Sequence, residues 1–500
     1  MKENRREFIK KSGCALGMVA LSTQMQHFGM MSAMAQTVDE DQAVPGDYRA
    51  LVCIFMSGGN DSNNMVIPNH NDATISNYTA YSNARAAQGL AIAQNQLLPI
   101  AVPRLGGLNY GLHPSLGPLT INNTTIVNSG IHDLWATSKL AVVTNVGTLV
   151  MPTSKAQYTQ SSHPKPYQLY SHSDQVSQFQ GGRSDQQSFT GWGGRVSDLR
   201  TAPDNPGALV PMITSINGAQ LFTAGQTTLP LAIAPAPTGL NNVLNPVGFN
   251  TTTESQARLA AFNTLRSQDL SSEVIAAASH ITNQAMQANA NLQTFQEVTA
   301  TFPNSNIGNQ LKQVARLIKK RTDLSINRQV FYCQIGGFDT HNNQQNAQNG
   351  QVALLVTLSQ AMRAFYEEMV AQGISDKVTQ FTMSDFSRTF NPASTGAAVG
   401  SDHAWGGHHF VIGGGITASD FYGSLRPDGT GNYYPTLVFN GPDDADSGTG
   451  ARGRWIPTSS VEQYAATLAR WYGLPEANMA AVFPKITNFP NTNLGFMGPA

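Results

Sequence analysis

The sequence predicts an α/β fold: a mainly parallel sheet sandwiched between helices, with surface insertions. Three observations point there. Five apolar, strand-like runs recur along the chain, and helical patterns lie between them. The runs are continuous instead of alternating, which is what strands buried on both faces require. Several of them open into glycines and acidic residues. Strands and helices in this alternation build a sheet covered on both sides.

In chain order, RALVCIFMSGGNDSNN (49–64) is the first run and KLAVVTNVGT (139–148) the second. RQVFYCQIGGFDTH (328–341), KVTQFTMSDFSRT (377–389) and HHFVIGGG (408–415) follow. Residues 254–298 predict two helices and NQLKQVARLIKKR (309–321) a third. Leu354, Leu355, Leu358, Met362, Phe365 and Met369 recur at three- and four-residue spacing and give one apolar helix face. Insertions are expected near 65–135 and 200–325; within them, 65–135 and 200–250 are rich in Asn, Pro, Gly and Thr. Residues 36–500 then form a single domain without internal repeats.

The formal net charge of −1 gives no electrostatic reason to expect nucleic acid or an anionic membrane as partner. Arg5 and Arg6, then Phe8, Lys10 and Lys11, precede a modest apolar run, and Ala33-Met34-Ala35 has the small-x-small form of a signal-peptidase site. Residues 1–35 therefore read as a twin-arginine signal peptide, implying the export machinery as a partner and a periplasmic or extracellular location. Cys14 precedes the apolar run instead of ending it, which argues against a lipoprotein. No segment after the signal reaches the roughly 18 apolar residues that span a bilayer. Cys53 and Cys333 each lie inside an apolar run and read as buried free thiols.

Ligands of open α/β sheets bind beyond the carboxyl ends of the strands. Asp61 follows the first run, Asp339 and His341 the third, and Asp385 the fourth. SDHAWGGHH (401–409), with His403 and His408, leads into the fifth. Three carboxylates and three imidazoles suit a divalent metal, zinc first, with manganese, iron or calcium as alternatives, and two ions could share them. His408 and His409 are adjacent and so point to opposite faces of a strand. His403 or His408 is the expected terminal ligand and His409 the spare. GTGARG (448–453) matches a dinucleotide-binding pattern but follows no strand, so it carries no such site.

LVCIFMSGGNDSNN, GGFDTH, SDFSRT and DHAWGGHHFVIGG, in this order, resemble the bacterial family called domain of unknown function 1501. So does the ending GRWIPTSSVEQYAATLARWYG with VFPKITNF, and the likeness runs from about residue 48 to 497. That family resembles the alkaline phosphatase and sulfatase superfamily in its order of motifs. The resemblance implies an alkaline-phosphatase-like sheet and an exported, metal-dependent hydrolase acting on phosphate or sulfate esters, whether small or polymeric. It implies Asp61, Asp339, His341, Asp385 and either His403 or His408 as metal ligands. Phe386 departs from the pattern, because a histidine usually follows the second aspartate. Ser171 and His172, before a plausible helix, are the candidate nucleophile and its neighbour. Arg388 is a candidate for binding the anionic group or for pairing with a neighbouring acid. The alternative function is a secreted binding or structural protein that keeps the fold with a degenerate metal site.

Overall fold

The computed structural model describes residues 47–499 except 73, 229, 241–250, 269, 272, 295 and 394–397. The expected signal peptide, with Arg5, Arg6 and Cys14, lies outside the described residues. Among those described, nine strands form the main sheet. They are β1 (Arg49–Met56), β2 (Leu140–Gly147), β3 (Ile213–Ser215), β4 (Leu231–Ala232), β5 (Arg328–Ile335), β6 (Val378–Ser384), β7 (Gly407–Gly413), β8 (Phe421–Tyr422) and β9 (Ser459–Ser460). Their spatial order is β8-β2-β7-β6-β1-β5-β3-β4, with β9 also pairing β2. All five predicted runs are long strands of this sheet, and the short strands complete it.

Helices α1 (Tyr78–Arg85), α2 (His172–Gly181), α3 (Trp192–Asp204), α4 (Thr253–Leu265), α5 (Glu273–Asn291), α6 (Asn306–Lys319), α7 (Gln351–Ala371) and α8 (Val461–Tyr472) flank or connect the strands. The sheet separates two apolar layers. Ala50, Val52, Ile54 and Met56 of β1 join the layer that holds Leu311 of α6 and Leu358 of α7. Leu51, Cys53 and Phe55 join the other, with Tyr464 and Leu468 of α8. The period-two alternation of a strand delivers one set to each side. Cys333 stands opposite Ile54 and not Cys53, so the two thiols occupy opposite layers; both are buried and free. The 65–135 segment carries a small antiparallel sheet of Val66–Pro68, Leu98–Val102 and Leu108–Leu112, whose Val66, Ile100 and Tyr110 enter the first layer. No helix among the described residues is long and apolar enough to cross a membrane.

One strand sets up the site. β1 runs parallel to β5 and β6, but β7 runs antiparallel to both of its neighbours, β6 and β2. Its amino-terminal end therefore lies at the edge where β1, β5, β6 and β2 present their carboxyl ends. The loop 401–406, which precedes β7, is brought to the same edge as Asp339 and Asp385.

β7 is a central strand, so His408 and His409 are buried on both sides, at 2% and 3% exposure. His408 stacks on Tyr434 and its Nδ1 accepts the Asn145 N–H across a bulge in the β2 pairing, at 3.1 Å. His409 points the other way, between Phe179 of α2 and Tyr464 of α8, and neither ring nitrogen has a partner. Burial holds each ring well below the ordinary 6.5, at about 3. A pKa lowered by folding means that the unfolded chain takes up its proton first. Stability is thus full above about 6.5 and is lost as pH falls towards about 3. His409→Phe keeps the ring packing and removes the titration. In denaturant unfolding it should lose less stability than the parent between about pH 7 and about pH 4, by roughly 3 kcal/mol. An unchanged acid limb would contradict the buried neutral ring.

Candidate metal centre

Four chain segments meet at the carboxyl edge of the sheet, and Arg388 holds them. Its side chain is fully buried. Nε donates to the Gly59 carbonyl (2.9 Å) and Nη1 to the Ser401 carbonyl (3.1 Å). Nη2 donates to the carbonyls of Gly58 and Phe338 and to Asp339 Oδ1. The ends of β1 and β5 and the loop before β7 are thereby tied to the segment after β6. The approach is close enough to require glycine. Gly58 and Gly59 have φ of +115° and +80°, and a Cβ on Gly58 would lie 2.3 Å from the Asp339 nitrogen.

Three imidazoles converge on Asp339 Oδ1. His172 Nε2 is 3.5 Å away, His341 Nε2 3.3 Å and His403 Nε2 3.9 Å. His172, Asp339 and His403 offer ligand atoms that all lie within 4.8 Å of one another. His341 adjoins them, with its Nε2 2.9 Å from that of His403. A tetrahedral ion with bonds of about 2.0–2.2 Å separates its ligand atoms by about 3.3–3.6 Å, so these spacings have the scale of a coordination shell.

The opposite nitrogen of each ring explains which atom faces the centre. His172 Nδ1 contacts Asp385 Oδ2 at 2.7 Å and His341 Nδ1 contacts Asp402 Oδ1 at 3.1 Å. His403 Nδ1 contacts the Tyr170 carbonyl at 2.9 Å. A carboxylate or carbonyl can only accept, so each Nδ1 carries a proton and Nε2 is the atom of each ring that can serve as a ligand. His172 Nε2 is buried and has no hydrogen-bond partner. A cation among these nitrogens and the Asp339 carboxylate would satisfy them together. Histidines anchored through their second nitrogen by a carboxylate or carbonyl are the usual ligand arrangement of protein metal sites. Tyr170 contributes through its backbone: with φ of +73°, rare for a bulky residue, it turns its carbonyl to His403 two residues before His172.

The family model described as "Protein of unknown function (DUF1501)" matches residues 48–435, more than half of the chain. The chain belongs to DUF1501. Comparison with curated proteins finds no match. Among solved structures the chain is similar to the PsFucS1 sulfatase from Pseudoalteromonas sp., at 10% identity and a TM-score of 0.25, covering 76% of this chain and 65% of that one. The chain thus spans about two thirds of that sulfatase's length. It is also similar to the alkaline phosphatase from the Antarctic bacterium TAB5, at 9% identity and a TM-score of 0.22, covering 75% of this chain and 94% of that one. A mutant of the same phosphatase with Mg bound gives 8% identity and a TM-score of 0.25, with coverage of 75% and 94%.

The structure of this DUF1501 chain places the expected residues in three groups. Asp339, His341 and His403 meet at the centre, joined by His172, which was expected beside the nucleophile. Asp385 stands one shell back, with Oδ2 on His172 and Oδ1 accepting the Gly58 N–H at 3.1 Å. Asp61 and His408 lie elsewhere. Asp61 is buried against Arg85 of α1 and also receives Gln344 and Asn63. His408 is turned into the core by the strand alternation. Arg388 bonds internal carbonyls and Asp339, so it acts as a clamp with no arm free for an anionic group. Ser171 precedes α2 and gives its hydroxyl to Asp174 Oδ2 at 2.5 Å. Phe386 packs against the rings of His172 and His403, with both centroids at 4.7 Å. Reading the sequence alone missed Asp402, Tyr170, Asp174 and Arg85. Asp402, beside His403 in SDHAWGGHH, was the one within reach.

Electrostatics prepare the donors. Burial would raise the Asp339 carboxyl, but the Arg388 hydrogen bond and charge, with His172 and His341, outweigh it and hold it below the usual carboxylate range. Asp402 is also lowered, because His341 and Arg452 outweigh its burial. His403 is lowered chiefly by burial, which disfavours its charged form. Asp339 Oδ1 with His172 and His403 Nε2 can hold a divalent cation, with His341 beside them. The Asp339 and His341 side chains are 51% and 44% exposed, so the centre opens to solvent. Asp385→Ala and Asp402→Ala should each weaken metal affinity by roughly 10- to 100-fold in a chelator-competition titration. Parent-like affinity in both variants would show that these carboxylates do not orient the ligands.

Proposed function

We propose that this chain is an exported, metal-dependent hydrolase of phosphate or sulfate esters, with a divalent ion at Asp339, His172, His403 and His341. The observation that supports it best is the partnerless His172 Nε2, aimed with the other imidazole Nε2 atoms at a carboxylate oxygen on the solvent-open edge of the sheet. A divalent ion held there supplies Lewis acidity towards an anionic oxygen. Ser171 is the proposed nucleophile. Asp174 Oδ2, already accepting from its Oγ, is placed to take the proton, and α2 begins directly behind it. Zinc is the proposed ion, since histidine and carboxylate donors at this spacing suit it.

A second reading has its own support. One carboxylate and three imidazoles suffice to fill a four-coordinate shell, as in structural metal sites. The chain would then be a secreted metal-binding protein without turnover. Metal-loaded protein assayed against generic phosphate monoesters, diesters and sulfate esters separates the two. Hydrolysis should appear, and Ser171→Ala should lower turnover at least about 100-fold while retaining the ion. Metal uptake without turnover of any ester would favour the second reading. Asp339→Ala with His341→Ala should remove most of the metal and lower the melting temperature; equal metal content would end both readings.

Export rests on Arg5, Arg6 and Ala33-Met34-Ala35. Changing both arginines to lysine should leave precursor in the cytoplasm. Mature protein beginning near Gln36 outside the cytoplasm in that variant would contradict the route.

A further inference from the structure

We infer that the centre takes a single ion, because the Arg85 guanidinium already neutralises Asp61, the buried carboxylate that follows β1. The inference rests on the metal reading above and adds to it the number of ions. Asp61 follows β1 at the same sheet edge as the donors, and both it and Arg85 have fully buried side chains. Its Oδ2 accepts from Arg85 Nη2 and from Gln344 Nε2 at 2.5 Å. Its Oδ1 accepts from the Asn63 backbone N–H and from Asn63 Nδ2, each at 3.1 Å. Four donors fill the four acceptor positions of a carboxylate, leaving none for a metal. An arginine stays charged in a protein, so the neutralising cation at Asp61 is permanent and covalently part of the chain.

The space around the donors agrees. Of the carboxylates beside the donors, Asp385 has one oxygen on His172 Nδ1 and the other on the Gly58 N–H, and Asp402 has one oxygen on His341 Nδ1 and the other on Arg452. Phe386 is 2% exposed, packs on His172 and His403, and lies so close to Gly59 that a Cβ there would stand 2.5 Å from its ring. An apolar ring therefore fills the contact between the imidazoles and the turn that leads to Asp61, and it offers no ligand to a hydrated ion. Two-metal sites place a cation on both the attacking and the leaving oxygen. With a single ion, hydrogen-bond donors of the protein would have to serve the oxygen that a second ion would otherwise hold.

The test is a count. Full-length protein stripped with chelator is equilibrated separately with zinc and with manganese, freed of unbound ion by gel filtration, and analysed for metal against protein concentration. The expected plateau is one ion per chain. A plateau of two overturns the inference; no uptake of either metal overturns the metal reading itself, so the two failures differ. As a second arm, Asp61→Asn combined with Arg85→Met removes the pair without leaving a lone buried charge. This variant should keep the plateau at one with affinity within about threefold of the parent, because Asp61 is not a ligand. Loss of the ion from a variant that circular dichroism shows to be folded would make Asp61 a ligand and overturn the inference. If the variant does not fold, the plateau of the unaltered chain decides alone.

Discussion

A single buried guanidinium holds the carboxyl edge of the sheet together. Arg388 bonds carbonyls after β1, after β5 and before β7, and the Asp339 carboxylate as well. A buried arginine is costly unless its donors are satisfied, so these segments must meet around it. That requirement fixes Asp339 as the point on which the imidazoles converge. It also explains Gly58, since the Asp339 backbone it gathers lies too close for a Cβ there, while at Gly59 the Phe386 ring does the same.

Around that fixed carboxylate, each histidine arrives from a different element and is aimed by a different partner. His172 comes from the start of α2 and is held by Asp385; His341 follows β5 and is held by Asp402; His403 precedes β7 and is held by a strained turn at Tyr170. The reversed direction of β7 makes this possible. In an all-parallel sheet, the loop leading into that strand would lie at the opposite edge. The GTGARG stretch and the residue after it also serve this loop: Arg452 pairs with Asp402, and Arg454 donates to the His403 carbonyl at 2.9 Å.

Much of this was legible in the sequence, for a simple reason. Strands buried on both faces are continuous apolar runs, and the residues just beyond them, Asp339, His341 and Asp385, are where an open sheet displays its chemistry. The limits are equally physical. Whether a carboxylate is free or neutralised depends on a partner far along the chain, and Arg85 sits 24 residues from Asp61. Arg388 could face outward to an anion or inward to carbonyls, and only the packing of four segments decides. His408 was within reach: a strand that is central to the sheet buries both of its faces, so neither of two adjacent histidines in HHFVIGG can remain at the surface. The reversal of β7 left a trace too, because among the described residues no helix lies between Ser384 and Gly407 to carry a parallel crossover.

The convergence of donors on Asp339 is tested most directly by locating the metal in crystals of the zinc-loaded protein, using anomalous scattering at the zinc absorption edge. The expected result is a peak about 2.0–2.2 Å from His172 Nε2, His403 Nε2 and an oxygen of Asp339, with Asp61 still bonded to Arg85. A peak at Asp61 or His408, or no peak with each Nε2 bonded to protein or water, would contradict it.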